Sequence, residues 1–489
     1  MRGLKHDVSL RIVKLLAVCL ITLPFALCWN LYYANHTAAL FARNARLYVF
    51  ILYVFLYIFF GRTFDAFLVS YSRISELAYS QMLAACMSDG LIYILICFLC
   101  KRLEPIWPGM LAIIGQTILA VLWAFLANKW YFHTYPAKRT YIIYDVRLGM
   151  DNLVEQYGLA RKFKIEKILQ VGYVLNDLTV INDAEIVFTS GIHSHDRNII
   201  MKYCVDKGIQ VLVLPRIGDV IMGSAKKLHI LHLPIYTVRR YSPHPEYLTI
   251  KRIGDILLSS IALVITSPLL LIVSILIKKD GGPVFYKQDR LTKNGKVFKV
   301  IKFRSMCVDA EKDGVARLST GDNDDRITPV GRVIRKLRID ELPQLLNILK
   351  GDMSIVGPRP ERPEIAAEYE KHMPEFRLRL QCKAGLTGYA QVYGKYNTTP
   401  YDKLLMDLMY ISDPSIIQDL RIIFATVKIL FLPESTEGIA AGQTTAMDYE
   451  NSADGTGSGT ETATKQDGLN KCQPCLSSEE ECAPSVLCL

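Results

Sequence analysis

Ile256-Leu-Leu-Ser-Ser-Ile-Ala-Leu-Val-Ile-Thr-Ser-Pro-Leu-Leu-Leu-Ile-Val-Ser-Ile-Leu-Ile277 runs 22 residues without a charge, and Ser267-Pro268 interrupts it at its middle. By length and hydropathy the stretch reads as a membrane span. Pro268 removes a helix hydrogen bond and can kink the helix sharply. Two architectures follow. An ordinary kinked span, which hydropathy favours, would carry everything after Lys278 across the bilayer. A helix broken at Ser267-Pro268 could instead enter and leave on one face, provided its freed backbone is buried in protein. The choice depends on what flanks it.

Upstream lie four further apolar segments, Ile12–Tyr33, Leu47–Gly61, Ala78–Cys100 and Met110–Phe132. The first, third and fourth have the ~20 apolar residues that a bilayer core needs. The second is short and is expected to extend or tilt. No clean cleavage site marks the first as a signal peptide. Basic residues flank both ends of this unit, with Arg2, Lys5, Arg11 and Lys14 before it and Lys138 and Arg139 after it. This favours both ends on the cytoplasmic side. A fifth crossing would then strand the rest of the chain outside. The composition, 51% hydrophobic with a net charge of +10 over 489 residues, fits two to four domains. Without a basic array interleaved with aromatics, the positive balance points to lipid headgroups or phosphorylated substrates and not to nucleic acid.

Between 135 and 245 the pattern changes to alternating α/β. Tyr141–Tyr144, Glu185–Thr189 and Gln210–Leu214 read as strands, and Asn152–Ala160 and Asp196–Lys207 as helices. The result is a small parallel-sheet, Rossmann-like accessory domain. A dinucleotide seat would need Gly-x-Gly-x-x-Gly after the first strand. Asp145-Val-Arg-Leu-Gly149-Met has one glycine, so a scaffolding or regulatory role is expected. His193-Ser-His195 reads as a loop before a helix. From about Asp280 the chain looks globular and rich in amphipathic helices. After Glu434 it is rich in Gly, Ser, Thr and acids and is expected to be a disordered tail over 434–489. Cys472-Gln-Pro-Cys475 in that tail has metal-ligand spacing but no folded frame.

The chemistry-bearing residues lie beyond the long apolar stretch. In Arg338-Ile-Asp-Glu-Leu-Pro-Gln-Leu-Leu346 two carboxylates precede Pro343, which suits the first turn of a helix running to about Lys350. Asp340 then falls near the N-cap, where backbone N–H groups and the helix dipole accept phosphate. A carboxylate held ionised there suits a nucleophile, and of the two neighbours one can attack while the other holds a divalent cation. A capped surface helix is the plain alternative. Arg335 and Arg359, the latter fixed in Gly357-Pro358-Arg359-Pro360, flank the pair with phosphate-binding guanidinium groups. Of the basic run from Lys287 to Arg304, Lys293, Lys296 and Lys299 suit a lipid surface. Lys302 and Arg304 end a short strand and could point into a site. Gly321-Asp-Asn-Asp-Asp-Arg326 lacks the spacing of a calcium loop.

Five blocks complete the picture: Gly282-Pro-Val-Phe-Tyr-Lys-Gln, Lys302-Phe-Arg-Ser-Met, Asp340-Glu-Leu-Pro-Gln, Gly351-Asp-Met-Ser-Ile-Val-Gly-Pro-Arg-Pro and Gly385-Leu-Thr-Gly-Tyr-Ala-Gln-Val. In this order and spacing the chain resembles the bacterial sugar transferase family, the polyisoprenyl-phosphate hexose-1-phosphate transferases. With its four-span start it is similar to the large members that begin exopolysaccharide or capsule repeat units. Ala384 stands where many members have proline, and Leu291-Thr292 replaces a frequent glycine.

The resemblance implies a multidomain membrane protein. An α-helical four-span bundle (1–134) comes first, then the small α/β domain (135–245). A mainly α-helical catalytic domain (250–432) follows, with a re-entrant membrane helix at about 256–277, broken at Ser267 and Pro268. It implies a multi-pass protein of the bacterial cytoplasmic membrane whose catalytic domain faces the cytoplasm. The implied partners are a UDP-sugar, undecaprenyl phosphate and the lipid bilayer; the middle domain could mediate a homodimer. Among site residues, Asp340 matches the nucleophile and Glu341 the Mg²⁺-holding residue. Arg335 and Arg359 match phosphate binders, and Pro358 lies in the nucleotide-associated block. Lys302 and Arg304 lie in the block lining the same site. Three rivals fit less well. A membrane-anchored nucleotide-sugar dehydratase would need the missing glycine fingerprint, a transporter would need more intramembrane charge, and a dead scaffold would not need the intact acidic pair.

Overall fold

The computed structural model describes residues 2–36, 45–145, 154, 159–230, 232–241, 243–279, 281–307, 326–394 and 398–430. The expected tail with its Cys472–Cys475 pair, the acidic loop at 321–325 and most of the expected 152–160 helix lie outside these residues.

Four long helices open the chain: α1 (Arg2–Leu31), α2 (Ala45–Thr63), α3 (Ile74–Cys100) and α4 (Trp107–Thr134). The segment that looked short extends at both ends to 19 residues in α2. His6 near the start of α1 meets Tyr135 just past α4, with ring centroids 4.6 Å apart. At the opposite end Tyr32 meets Trp107 at 5.3 Å. The two helices are therefore antiparallel, and the beginning and end of the bundle share one face. Polar groups face inward: Tyr57 hydrogen-bonds Gln81, and Gln116 Nε2 donates to the Tyr53 hydroxyl at 2.8 Å. Leu15, Ile51, Ile94 and Ile118 face outward. An apolar exterior around hydrogen-bonded polar pairs is the arrangement that lipid selects.

The next unit holds β1 (Lys138–Tyr144), β2 (Phe163–Gln170), α5 (Val171–Asn176), β3 (Ile186–Ser190), α6 (Ser194–Lys207), β4 (Gln210–Val213) and α7 (Ile217–Gly223). Its strands form a parallel sheet in the order β2-β1-β3-β4. β1 and β3 are central and buried, and both were legible as apolar runs. β2 was not. It is an edge strand carrying Lys164, Glu166 and Lys167, and most of its residues meet solvent. His193 sits directly before α6, as the loop-then-helix reading expects. Lys162 ties this unit to the bundle, with its ammonium 3.0 Å from the Tyr71 ring centroid and 3.3 Å from Ser70 Oγ. A hairpin of β5 (Lys226–Ile230) and β6 (Leu233–Thr237) follows.

The 22-residue apolar stretch belongs to a longer helix, α8 (Pro245–Lys279), of 35 residues. At 1.5 Å per residue it is about 50 Å long. The break expected at Ser267 and Pro268 is absent: the helix runs on through both residues without ending. Pro268 cannot donate to the carbonyl four residues back, Val264, and Ser267 Oγ donates to that carbonyl instead at 2.8 Å. The local chemistry thus satisfies the group that proline frees.

The remaining elements are the antiparallel hairpin β7 (Phe285–Leu291) and β8 (Val297–Phe303), then α9 (Pro329–Lys336), α10 (Gln344–Lys350), β9 (Ser354–Val356), α11 (Pro363–His372), β10 (Gly385–Thr387), α12 (Tyr389–Tyr393), α13 (Pro400–Ser412) and α14 (Ile416–Leu430). They pack on α8 on both sides of Pro268. Before it, Lys251 Nζ meets Asp419 at 2.9 Å and Asp255 accepts from the Ile355 N–H at 3.0 Å. After it, Val273 and Ile277 are buried against Phe303 and Ile334. The other face of α8 leaves Ile253, Leu257, Ile261, Val264, Leu271 and Ile275 exposed. Spacings of three, four and seven put these on one apolar stripe. Near the end of α2, Phe60 meets Phe424 of α14 at 5.0 Å between ring centroids, so the bundle touches this last unit.

Candidate active site

The acidic pair is presented by a sharp reversal. Thr328 caps α9 by accepting from the Gly331 N–H at 2.9 Å, with Pro329 at the first helical position. Gly331 is required for packing, since a Cβ there would lie 1.9 Å from the Ser305 carbonyl oxygen. After α9 the chain turns at Arg338 with φ of 54°, enters one 3₁₀ turn at Ile339–Glu341, and starts α10 behind Pro343. Asp340 therefore lies in the 3₁₀ turn and not at the N-cap expected for it. Pro343 occupies the cap position, because the chain between Asp340 and Gln344 is wound in the tighter turn.

Two tethers hold α10. Arg252 of α8 donates to the carbonyls of Ile348 (2.7 Å) and Leu349 (2.8 Å) in the last turn of the helix, where carbonyls run short of intrahelical partners. Asn347 bridges to β8, accepting from the Ile301 N–H at 3.0 Å and donating to the Lys299 carbonyl at 2.9 Å. The side-chain amide stands in for a missing strand and fixes β8 against α10. One residue further along β8, Lys302 Nζ lies 2.7 Å from Glu341 Oε1. Arg359 Nη2 is 3.5 Å from the same oxygen.

Arg359 comes from a turn built on close backbone contact. A Cβ on Gly357 would sit 2.3 Å from the Lys383 carbonyl oxygen, and one on Gly385 would sit 2.1 Å from the Gly357 nitrogen. The Gly357 N–H donates to the Thr387 carbonyl, and the Gly385 N–H to the Pro358 carbonyl, both at 2.9 Å. Arg290, Lys302, Glu341, Gln344, Arg359 and Gln391 line a shared cleft. Within reach of it, Arg335 Nη1 and Gln391 Nε2 are buried without a hydrogen-bond partner.

The electrostatics separate the two carboxylates. Burial pushes the Asp340 carboxyl up to about 6, and the neighbouring Glu341 charge adds to this; Lys302, Arg335 and Arg359 oppose it. Burial also disfavours the Glu341 charge, but Lys302 and then Arg359 outweigh it and hold this carboxyl well below the ordinary range. One carboxylate is thus fully ionised and charge-paired, while its neighbour is the more basic of the two.

Of the residues singled out in the sequence, Asp340, Glu341, Lys302, Arg335 and Arg359 come together, with Pro358 at the base of the Arg359 turn. Arg304 goes elsewhere. It is buried, and its Nη2 donates to the Ile277 carbonyl at the end of α8 at 3.1 Å. Arg252, Arg290, Asn347 and Gln391 were missed. Gln391, inside the Gly385–Val392 block, and Arg290, in the basic run from Lys287 to Arg304, carried a sequence signal; Arg252 and Asn347 carried none.

Comparison with known proteins matches residues 246–433 to the bacterial sugar transferase model. The exopolysaccharide production protein PSS of Rhizobium leguminosarum bv. phaseoli is 45% identical over 190 residues, covering 94% of that protein and 37% of this chain. The chain belongs to the bacterial sugar transferase family. Within this family it is also 39% identical over 231 residues to the UDP-N-acetylgalactosamine-undecaprenyl-phosphate N-acetylgalactosaminephosphotransferase of Aeromonas hydrophila, over 46% of this chain and 53% of that one. It is 31% identical over 298 residues to the UDP-glucose:undecaprenyl-phosphate glucose-1-phosphate transferase of Klebsiella pneumoniae, over 60% of both. The match spans about half the length of the Aeromonas relative. The sugar transferase match begins with α8, so it takes in every cleft residue named above.

Proposed function

We propose that this sugar transferase moves a sugar-1-phosphate from a UDP-sugar to undecaprenyl phosphate with release of UMP, as the first membrane step of exopolysaccharide or capsule repeat-unit synthesis. The observation that carries this reading is the asymmetric pair, a more basic, half-buried Asp340 beside a charge-paired Glu341, facing two arginines and a lysine. An Asp340 oxygen attacks the sugar-bearing phosphorus. The bond from that phosphorus to the bridging oxygen breaks, and UMP leaves with the oxygen and the electron pair. In the second step an oxygen of undecaprenyl phosphate attacks the sugar-phosphoryl aspartate, the acyl phosphate bond breaks, and Asp340 returns as carboxylate. Arg335 and Arg359 hold phosphate oxygens. Lys302 keeps Glu341 ionised.

Two adjacent carboxylates offer hard oxygen ligands of the kind Mg²⁺ takes together with substrate phosphates. Glu341 would hold the ion and Asp340 lies beside it. When bound, Mg²⁺ would neutralise pyrophosphate charge. The Lys302 ammonium already supplies positive charge at Glu341, so the pair suits a cation that arrives with the nucleotide.

Packing supports a cytoplasmic site on a re-entrant helix. One folded body packs on α8 both before and after Pro268, an arrangement that suits a helix whose two ends lie on one side of the bilayer. The exposed stripe on the opposite face is left for lipid. An impermeant thiol reagent should therefore miss exposed Cys307 in intact cells and reach it after permeabilisation, read by peptide mapping. Labelling in intact cells would restore the fifth span. The reaction is tested by incubating membranes holding the protein with undecaprenyl phosphate, Mg²⁺ and, in turn, the UDP derivatives of glucose, galactose and their N-acetylated forms. No UMP from any of them would overturn the proposal.

A further inference from the structure

Arg359 reaches Glu341 from a turn with two prolines, and prolines have no N–H to anchor with. The turn is held through its carbonyls. The Gly385 N–H donates to the Pro358 carbonyl at 2.9 Å. Arg379 Nη2 donates to the Arg359 carbonyl at 2.9 Å. Arg290 Nη1 donates to the Pro360 carbonyl at 3.0 Å. The Leu291 N–H donates to the Glu361 carbonyl at 3.0 Å. Four consecutive carbonyls are thus bound by donors from β7, β10 and the 3₁₀ helix Pro374–Gln381.

Two of these donors are cations with their own counter-charges, Arg379 buried and Arg290 partly buried. Arg379 is 5% exposed, and it meets Asp407 at 2.7 Å and Glu361 at 3.5 Å. Arg290 lies 4.0 Å from the other oxygen of Glu361. Burying the Arg379 guanidinium this far, and Arg290 in part, is costly unless charge and hydrogen bonds compensate. Glu361 and Asp407 supply the charge, Gln288 Oε1 accepts from Arg290 Nη2 at 2.7 Å, and the turn carbonyls of Arg359 and Pro360 take one N–H group from each arginine. Neither Arg379 nor Arg290 contacts the acidic pair in the structure.

We propose that Arg379 and Arg290 are positioning residues for the transfer reaction, clamping the main chain of Pro358–Glu361 so that the Arg359 guanidinium is fixed opposite Glu341. This rests on the phosphoglycosyl transfer reading above. A fork of planar donors can hold a carbonyl and two carboxylates at once, whereas a lysine ammonium at the same place has no such geometry. A displacement of the Arg359 side chain by about 1 Å is enough to cost on the order of 10²-fold in rate.

The test uses the full chain in membranes, with UMP release as readout and the thermal midpoint as a check of folding. Arg379→Lys and Arg290→Lys should each lower kcat/KM by about 10–100-fold while the midpoint shows folded protein. In an Arg359→Ala background the same substitutions should cause little further loss of the residual activity, because their effect passes through Arg359. Full turnover in both lysine variants, or losses that simply multiply with that of Arg359→Ala, would overturn the clamp. If Arg379→Lys does not accumulate folded, Arg290→Lys asks the same question of the next carbonyl. No UMP from the wild-type chain would remove the functional reading itself, and the clamp with it.

Discussion

The helices α1–α4 and the helix α8 are alike in hydropathy and opposite in company. All five are long and apolar enough to cross a membrane. In the bundle each helix covers the others and hides tyrosines and glutamines such as Tyr57 and Gln81 between them. In α8 one face carries Lys251, Arg252 and Asp255 into a polar folded body, while the other is a bare aliphatic stripe. Hydropathy counts apolar residues and does not see partners. It therefore groups five helices that packing divides into four and one. The family match falls on the same line: it starts at α8 and leaves the bundle out. The chemistry belongs with the helix that packs on the enzyme.

Breaking the chemistry should leave the bundle untouched. Asp340→Asn is expected to lower UMP release by on the order of 10³-fold or more, since the proposed nucleophile is lost. It should also abolish exchange of labelled UMP into UDP-sugar, which reads the first step alone. Exchange at near the wild-type rate would remove Asp340 as nucleophile. Gly331→Ala should act next most strongly, through stability. Its Cβ would lie 1.9 Å from the Ser305 carbonyl oxygen, an atom that cannot swing away. Overpacking of this kind costs about 1–3 kcal/mol. Limited proteolysis should then release the region from α8 onward sooner than the bundle. Equal loosening of both halves would contradict their independence.

Much of this division was legible in the sequence, and the omissions have physical causes. The four spans and the two central strands, β1 and β3, were readable because long apolar runs report burial directly. Edge strand β2 was not, because its exposed side chains carry the same charges as a loop. In the site, Asp340, Glu341 and Arg359 stood out through their neighbours Pro343, Gly357 and Pro358. Arg252 and Asn347 did not. Their partners are backbone carbonyls and amides about 50 to 100 residues away, and backbone groups leave no mark in a sequence. Arg304 misled because a cation at a strand end looks the same whether it faces a cleft or the end of a helix such as α8.

The pH response sharpens the contrast within the acidic pair itself. In the proposed mechanism Asp340 must be ionised to attack, and its carboxyl is pushed up to about 6. UMP exchange should fall as pH drops through about 6, whereas an unperturbed aspartate would hold its rate to near pH 4. A flat profile from pH 7 to 5 would show that Asp340 does not carry the shift.

The same shift sets the sign of a smaller effect. A carboxyl whose pKa is higher folded than unfolded favours the folded state most below its unfolded pKa, near 4. It loses that contribution as pH rises through about 6, so at pH 7.5 the ionised group is a net cost. Asp340→Asn removes the cost. The inactive variant should therefore be the more stable protein at pH 7.5, by on the order of 1 kcal/mol or about 2–4 °C in thermal midpoint. The gap should shrink toward pH 5. A variant of equal or lower midpoint at pH 7.5 would mean that Lys302, Arg335 and Arg359 together stabilise the Asp340 charge more than burial and Glu341 oppose it.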